Sequence, residues 1–368
     1  MVAQPWCPPV ILHRMTVRRR WVPLTCALLL ASSCSTTPAP ERSPETNPPP
    51  VSEWDSVHVA SNVASLGMPG SDARRDIDSV ADAGFEGIRL LVKWSDIETV
   101  DGTLDWSRTD AEIAWAIERN LAVLGVLTWA PTWAVPADYA HVAHPAPASA
   151  DRFAQFVSAA ASRYRNEVNA WEIWNEPNVA ASYGPSANPE QYCDVLSASS
   201  QAIRKAAPGA LVITGPTSPA VDSINDLSPA TFVEALYRCA GADTFDAVAM
   251  HPYSSPQLLS EPTESYSSAN EIAAVHAVMA SHGDGDKRIW FTEFGAPTMG
   301  SGVDEQRQAD ILVDGITALT QLPFAGPVFV FDFRDSMTGS PVPDYNYGLV
   351  RSDYTPKLAL DAVRDLIG

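Results

Sequence analysis

The stretch Val168-Asn169-Ala170-Trp171-Glu172-Ile173-Trp174-Asn175-Glu176-Pro177-Asn178 holds the pattern from which the rest of the chain can be read. Its first half is apolar and rich in β-formers, as in a strand buried on both faces. Its second half, Asn-Glu-Pro-Asn, is turn-forming, and residues 189–207 beyond it follow a helical pattern. The unit is therefore one strand, one polar loop and one helix. Strand segments recur at 57–63, 87–92, 122–129, 168–174, 210–214, 245–250, 288–292 and 328–332. Helical segments lie between them at 71–83, 109–119, 150–164, 189–207, 230–240, 268–281, 304–319 and 356–366.

Near-continuous apolar strands joined by helices imply a parallel sheet covered on both faces. Eight such units within residues 51–368 make a single α/β domain, a (β/α)8 TIM barrel, whose reactive side chains gather where strands end and loops begin. A doubly wound open sheet is the alternative. It would carry a Gly-rich phosphate turn after its first strand, and Leu66-Gly67-Met68-Pro69-Gly70 lacks the GxGxxG spacing. The chain shows no internal repeat and no second domain.

With 368 residues, 46% hydrophobic and 18% charged, the chain can bury a large core. Its 44 acidic against 24 basic residues give a net charge of -20, which repels phosphate backbones and excludes nucleic acid as a partner. Eleven tryptophans supply flat rings that fill cores or stack on ligands.

Two strand ends carry carboxylates. The fourth strand runs into Glu176, and the seventh, Trp290-Phe291-Thr292-Glu293-Phe294-Gly295, into Glu293. A carboxylate at the end of an apolar strand is costly unless it is paired or used, and two facing one pocket are what acetal hydrolysis requires. Here Trp174-Asn175-Glu176-Pro177 and Thr292-Glu293-Phe294-Gly295 resemble the signature of the large clan of retaining (β/α)8 glycoside hydrolases. Residues 171–178 are most similar to family 39 members such as β-xylosidases and to related, cellulase-like family 5 enzymes. The resemblance spans residues 55–368. It implies that Glu176 is the general acid/base and Glu293 the nucleophile, with the negative charge of Glu293 raising the pKa of Glu176. It further implies that Asn175 bonds the hydroxyl next to the anomeric carbon. Arg89 on strand two resembles the arginine that supports the nucleophile, a salt bridge to Glu172 being its other reading. His251-Pro252-Tyr253 on strand six matches the clan's His-x-Tyr pattern, with the histidine near the acid/base and the tyrosine donating to the nucleophile.

Two positions depart from family 5. A histidine usual after strand three is replaced by Thr128-Trp129, and a tryptophan usual at the end of strand eight by Phe329-Val330-Phe331-Asp332-Phe333. Asp332 is then a candidate for bonding sugar hydroxyls, and Phe331 or Phe333 for stacking. Trp94, Trp129 and Trp133, in loops after strands two and three, are candidate sugar platforms, while Trp174 is expected beneath the site. His141 and His144 lie in a Pro-rich loop and read as solvated, not as metal ligands. The implied activity is hydrolysis of β-glycosidic or furanosidic bonds of an oligo- or polysaccharide by double displacement, with no cofactor and no metal. A catalytically silent carbohydrate-binding lipoprotein on the same barrel is the alternative, disfavoured because both carboxylates, Asn175, Arg89 and His251 are all present.

Residues 1–33 read as a signal peptide, with a conventional start at Met15, three arginines at 18–20 and an apolar run at 21–31. That run is too short for a bilayer core, which takes roughly 20 helical residues. Ala31-Ser32-Ser33-Cys34 resembles a bacterial lipoprotein processing box, which implies a lipid on Cys34; an ordinary cleaved leader is the alternative. Residues 34–50 form a Pro-rich spacer that cannot pack and suits a tether. The expected location is the outer face of the cell membrane, as a lipoprotein, or secretion. Cys193 and Cys239 are left as an even pair in an oxidising compartment, where a disulfide is expected and two separate buried thiols are the alternative.

Overall fold

The computed structural model describes residues 53–63, 72–262, 267–299 and 302–368. The leader, Cys34, the spacer and the turn at 66–70 lie outside the described residues. Every expected strand forms: β1 (Val59–Asn62), β2 (Gly87–Lys93), β3 (Ala122–Thr128), β4 (Ala170–Ile173), β5 (Leu211–Ile213), β6 (Val248–Met250), β7 (Ile289–Phe294) and β8 (Ala325–Val330). They build one parallel sheet in the order β5-β4-β3-β2-β1-β8-β7-β6, so the two ends of the list are sequence neighbours. Single parallel bridges Ile213 to Ala247 and Thr217 to Met250 join those ends and close the barrel. Seven helices between the strands and an eighth after β8 form at the expected places, and five of the eight begin at side-chain caps. Asp72, Ser149, Asn188, Ser228 and Asp304 each accept a bond from a backbone N–H of the first turn.

Inside the barrel the two halves differ. Ala60, Leu124, Ala170, Ile213, Ala249, Trp290 and Phe329 fill the floor as one apolar cluster. Trp54 plugs it, its ring 4.9 Å from that of Trp290. Above this layer the inward positions turn polar: Asn62, Arg89, Glu172, His251 and Thr292 are all buried.

Strand β7 breaks its alternation to reach this layer. Phe291 and Phe294 both point to the outer core, and a register irregularity lies between them. The extra residue lets consecutive Thr292 and Glu293 face inward, the effect of a β-bulge. Gly295 follows because a Cβ there would sit 1.8 Å from the Phe331 carbonyl oxygen.

Cys193 and Cys239 are joined as a disulfide, linking the helices Pro189–Ala206 and Pro229–Cys239. Among the described residues no helix is long and apolar enough to cross a membrane.

Candidate active site

The carboxyl end of the barrel opens into a pocket of about 440 Å³ lined by residues from seven strand ends, all but that of β5. Glu176 follows β4 on a backbone held at positive φ, 49°, as is Trp174 at 72°. Such a conformation costs roughly 1–2 kcal/mol in a residue with a Cβ, so it persists only where surroundings enforce it. Trp174 is fully buried and donates its indole N–H to the Ser182 carbonyl at 2.8 Å, the anchor beneath the site. Asn178 fixes the other end, accepting from Ser218 N–H and donating to the Ser218 and Leu227 carbonyls, all at 2.8 Å. The loop is pinned on both sides of Glu176.

Arg89 joins the two halves of the site. It donates to Glu293 at 2.6 Å, to Glu172 at 2.6 and 3.0 Å, to Asn175 at 2.8 Å and to Asn62 at 3.0 Å. Both readings of this arginine therefore hold at once. Tyr253 donates to the other oxygen of Glu293 at 2.7 Å. His251 places Nδ1 2.9 Å from Glu176 and Nε2 3.1 Å from the Thr292 hydroxyl. One oxygen of each of Glu176 and Glu293 and one nitrogen of His251 lie within 4.8 Å of one another. Three such donors could face a cation, but both oxygens of Glu293 are already committed, one of them to a guanidinium that would repel it.

The electrostatics follow from burial opposed by pairing. Burial works against the charge of Arg89, and Glu172 and Glu293 outweigh it, so the guanidinium is held more firmly protonated than usual. Glu172 shares that one cation with Glu293, and full burial pushes its carboxyl above the ordinary range. Burial and the charge of Glu293 raise the Tyr253 phenol well above its usual value, which keeps it a donor. For Glu176 the sequence-based expectation of a raised pKa is reversed. Burial does push it up, but hydrogen bonds from His251, Ser218 and Ser182 outweigh burial and hold it below the ordinary range.

The expected site residues thus converge in part. Glu176, Glu293, Asn175, Arg89, Tyr253 and Trp129 line the pocket, and His251 lies directly behind it. Trp94, Trp133 and Asp332 do not line it. Strand β2 runs to Lys93, and alternation sends Arg89, Leu91 and Lys93 inward, leaving Trp94 on the outer face. There Trp94 packs on Phe153 and Phe156 and donates to Glu98. Trp133 is tied to the Glu98 carbonyl, with the Arg152 guanidinium over its ring. Asp332 is buried past the end of β8 and accepts from the Phe333 N–H, while its neighbour Phe331 takes the pocket position and Phe333 packs on Phe85.

Sequence reasoning missed Asn62, Lys93, Asp344 and Tyr347 as pocket residues. Asn62 and Lys93 had a signal, being polar residues ending apolar strands. Tyr347 and Asp344 come from the long loop after β8, which carries no motif. Tyr347 and Phe331 stand with ring centroids 5.2 Å apart, and Tyr253 lies 5.7 Å from Tyr347, so three aromatics form one wall of the pocket. His141 and His144 are exposed, as expected, and the His144 ring also stacks on Trp129 at 4.4 Å.

Known proteins share this architecture. A family 39 glycoside hydrolase from the gut symbiont Bacteroides cellulosilyticus WH2 superposes with a TM-score of 0.68 at 19% identity, over 86% of this chain and 65% of its own. A family 5 subfamily 18 enzyme from Streptomyces cattleya gives 0.66 at 19% identity over 85% and 80%. A monomeric β-xylosidase from Caulobacter crescentus CB15 gives 0.65 at 17% identity over 87% and 69%. At these identities the likeness is one of fold. No curated protein sequence matches the chain. The cellulase family, glycosyl hydrolase family 5, matches residues 53–322. Two strand-end carboxylates over a barrel-mouth pocket and a family match across most of the chain lead to one conclusion: the chain belongs to glycosyl hydrolase family 5 and is an O-glycoside hydrolase.

Proposed function

We propose that Glu293 and Glu176 carry out a retaining double displacement on a β-linked glycan or glycoside. The observation that supports it most is the pair of carboxylate oxygens within 4.8 Å across the pocket. Inverting enzymes separate their carboxyl groups by about 6.5–9.5 Å to admit a water, whereas retaining enzymes hold them about 5–5.5 Å apart. In the first step an oxygen of Glu293 bonds to the anomeric carbon as the glycosidic C–O bond breaks, and the leaving oxygen takes the proton of Glu176. In the second, Glu176 removes a proton from water, whose oxygen replaces Glu293 on the anomeric carbon. Arg89 and Tyr253 hold Glu293 in place, and Asn175 is placed to bond the neighbouring hydroxyl.

The lowered pKa of Glu176 is that of the protein without a bound sugar. A bound sugar expels water and strengthens the burial that acts the other way, moving Glu176 toward its proton-bearing form. The aromatic wall of Phe331, Tyr347 and Tyr253, with Trp129 opposite, suits the apolar faces of sugar rings. The fold neighbours include a β-xylosidase and a protein solved with a β-1,4-linked mannosyl-N-acetylglucosamine. They suggest a β-xyloside and a β-1,4-linked mannoside as the first substrates to try. Proton NMR of early hydrolysis of an aryl β-glycoside should show the β-anomer first; an initial α-anomer would contradict retention.

We further propose that the barrel, from residue 51, lies outside the cell on a lipid attached to Cys34 through the Pro-rich spacer, a reading supported by the Ala31-Ser32-Ser33-Cys34 sequence. Cys34→Ala should move the protein from the membrane fraction to the soluble one, and unchanged fractionation would remove the anchor.

A further inference from the structure

Strand β2 sends three side chains into the pocket, and they differ in how far they are satisfied. Arg89, deepest, is bonded to four residues. Leu91 follows, and Lys93 stands at the rim, roughly 13 Å above Arg89 at about 3.3 Å per residue. Lys93 is half-buried, yet among the described residues no hydrogen bond or ion pair reaches its ammonium. The ring of Trp129 faces it, with its centroid 5.0 Å from Nζ. The acids around it are engaged elsewhere: Glu112 is bonded to Arg108 at 2.8 Å, and Asp96 is exposed and accepts from Ser95. Burial pushes Lys93 below its ordinary pKa in spite of both.

An ammonium drawn out of water with no direct ion pair, Asp96 and Glu112 acting on it only at a distance, is costly, and an aromatic face compensates it only in part. Trp129 is itself held at a positive φ of 51°, so the pairing of ring and cation is enforced by the chain at the pocket wall. A sugar hydroxyl would offer Lys93 a dipole, whereas an oxyanion would offer the missing charge. The exposed carboxylate of Asp344, in the loop after β8, also lines the pocket and repels an anion, so an anionic group is favoured beside Lys93. The net charge of -20 repels a dense polyanion, which leaves glycans with isolated acidic sugars.

Resting on the glycoside hydrolase reading above, we propose that Lys93 makes this pocket selective for a glycan bearing an oxyanion, a uronate carboxylate or a sulfate ester, on the ring that lies against β2 and Trp129. The test uses the full chain with Glu176→Gln to stop turnover. Its binding is measured on a panel of β-linked oligosaccharides offered as matched neutral, uronate and sulfated forms. At least one acidic member should bind roughly tenfold more tightly than its neutral partner, the scale of a charge-assisted hydrogen bond. Adding Lys93→Met should erase that ratio, and Lys93→Arg should keep most of it. Uronate and sulfate members then tell the two sources of the oxyanion apart. Equal or weaker binding of every acidic member, or a ratio that survives Lys93→Met, would overturn the inference. Absence of binding by every member, neutral or acidic, would overturn it together with the glycan reading. Turnover of neutral aryl glycosides by the unsubstituted enzyme, without any acidic preference, would sink the inference and leave the hydrolase standing.

Discussion

The floor and the mouth of this barrel are built from the same eight strands and solve opposite problems. At the floor, small and large apolar side chains interdigitate under Trp54, and no charge is buried among them. At the mouth, one guanidinium is buried with two carboxylates, a histidine and an asparagine, each held by named bonds. Apolar packing is indifferent to protonation, whereas the mouth works only if its proton positions are right. The floor therefore sets stability, and the mouth spends some of it to hold charges where water would otherwise take them.

Substitutions at the two levels should separate these roles. Arg89→Met leaves Glu172 and Glu293 without their shared cation, so kcat should fall about 10²- to 10³-fold, as when a preorganised charge partner is lost. Unfolding should be easier by about 3–5 kcal/mol as well, the cost of breaking a buried ion pair. Trp54→Ala should cost a similar 3–5 kcal/mol through the cavity it leaves, yet change kcat/KM by no more than roughly twofold. Denaturant titration and steady-state kinetics on the same preparations check both. If Trp54→Ala lowered kcat as far as Arg89→Met, the division between floor and mouth would be wrong.

A subtler effect is expected in the pH profiles. In the proposed mechanism Glu176 must be protonated for the first step, so activity should fall as pH rises through its pKa. In the free enzyme that pKa is depressed by His251, Ser218 and Ser182, and a bound sugar strengthens the opposing effect of burial. The basic limb of kcat/KM, which reports the free enzyme, should therefore lie at lower pH than the basic limb of kcat. Coincident limbs would show that substrate does not move the proton.

The same contrast explains what could be read from the sequence. Floor and walls follow from alternation, caps and segment lengths, so all eight strands and their helices were legible. So were the residues fixed by motifs at strand ends, Glu176, Glu293, Arg89, His251 and Tyr253. What depended on one residue of strand length was not. Reading Trp94 as part of the loop after strand two made it a candidate platform, whereas the strand's alternation runs on through Lys93 and turns Trp94 to the outer face. Past β8, Phe331 and Asp332 were equivalent in sequence, and only the path of the chain gives the pocket to Phe331. Tyr347 and Asp344 are brought in by an irregular loop. The direction of the Glu176 pKa was illegible for a related reason. The charge of Glu293 can be foreseen from a motif, but hydrogen bonds from Ser182 and Ser218 depend on loop conformation.

The central claim is the division of labour between Glu293 and Glu176, and chemical rescue tests it most directly. Glu176→Ala should still form the glycosyl ester from an aryl glycoside whose leaving group needs no proton, and then stall. Added azide occupies the space left by the side chain and should restore turnover, releasing a β-glycosyl azide by attack on the face opposite Glu293. An α-glycosyl azide from Glu176→Ala, or the β-azide from Glu293→Ala in its place, would contradict the assignment.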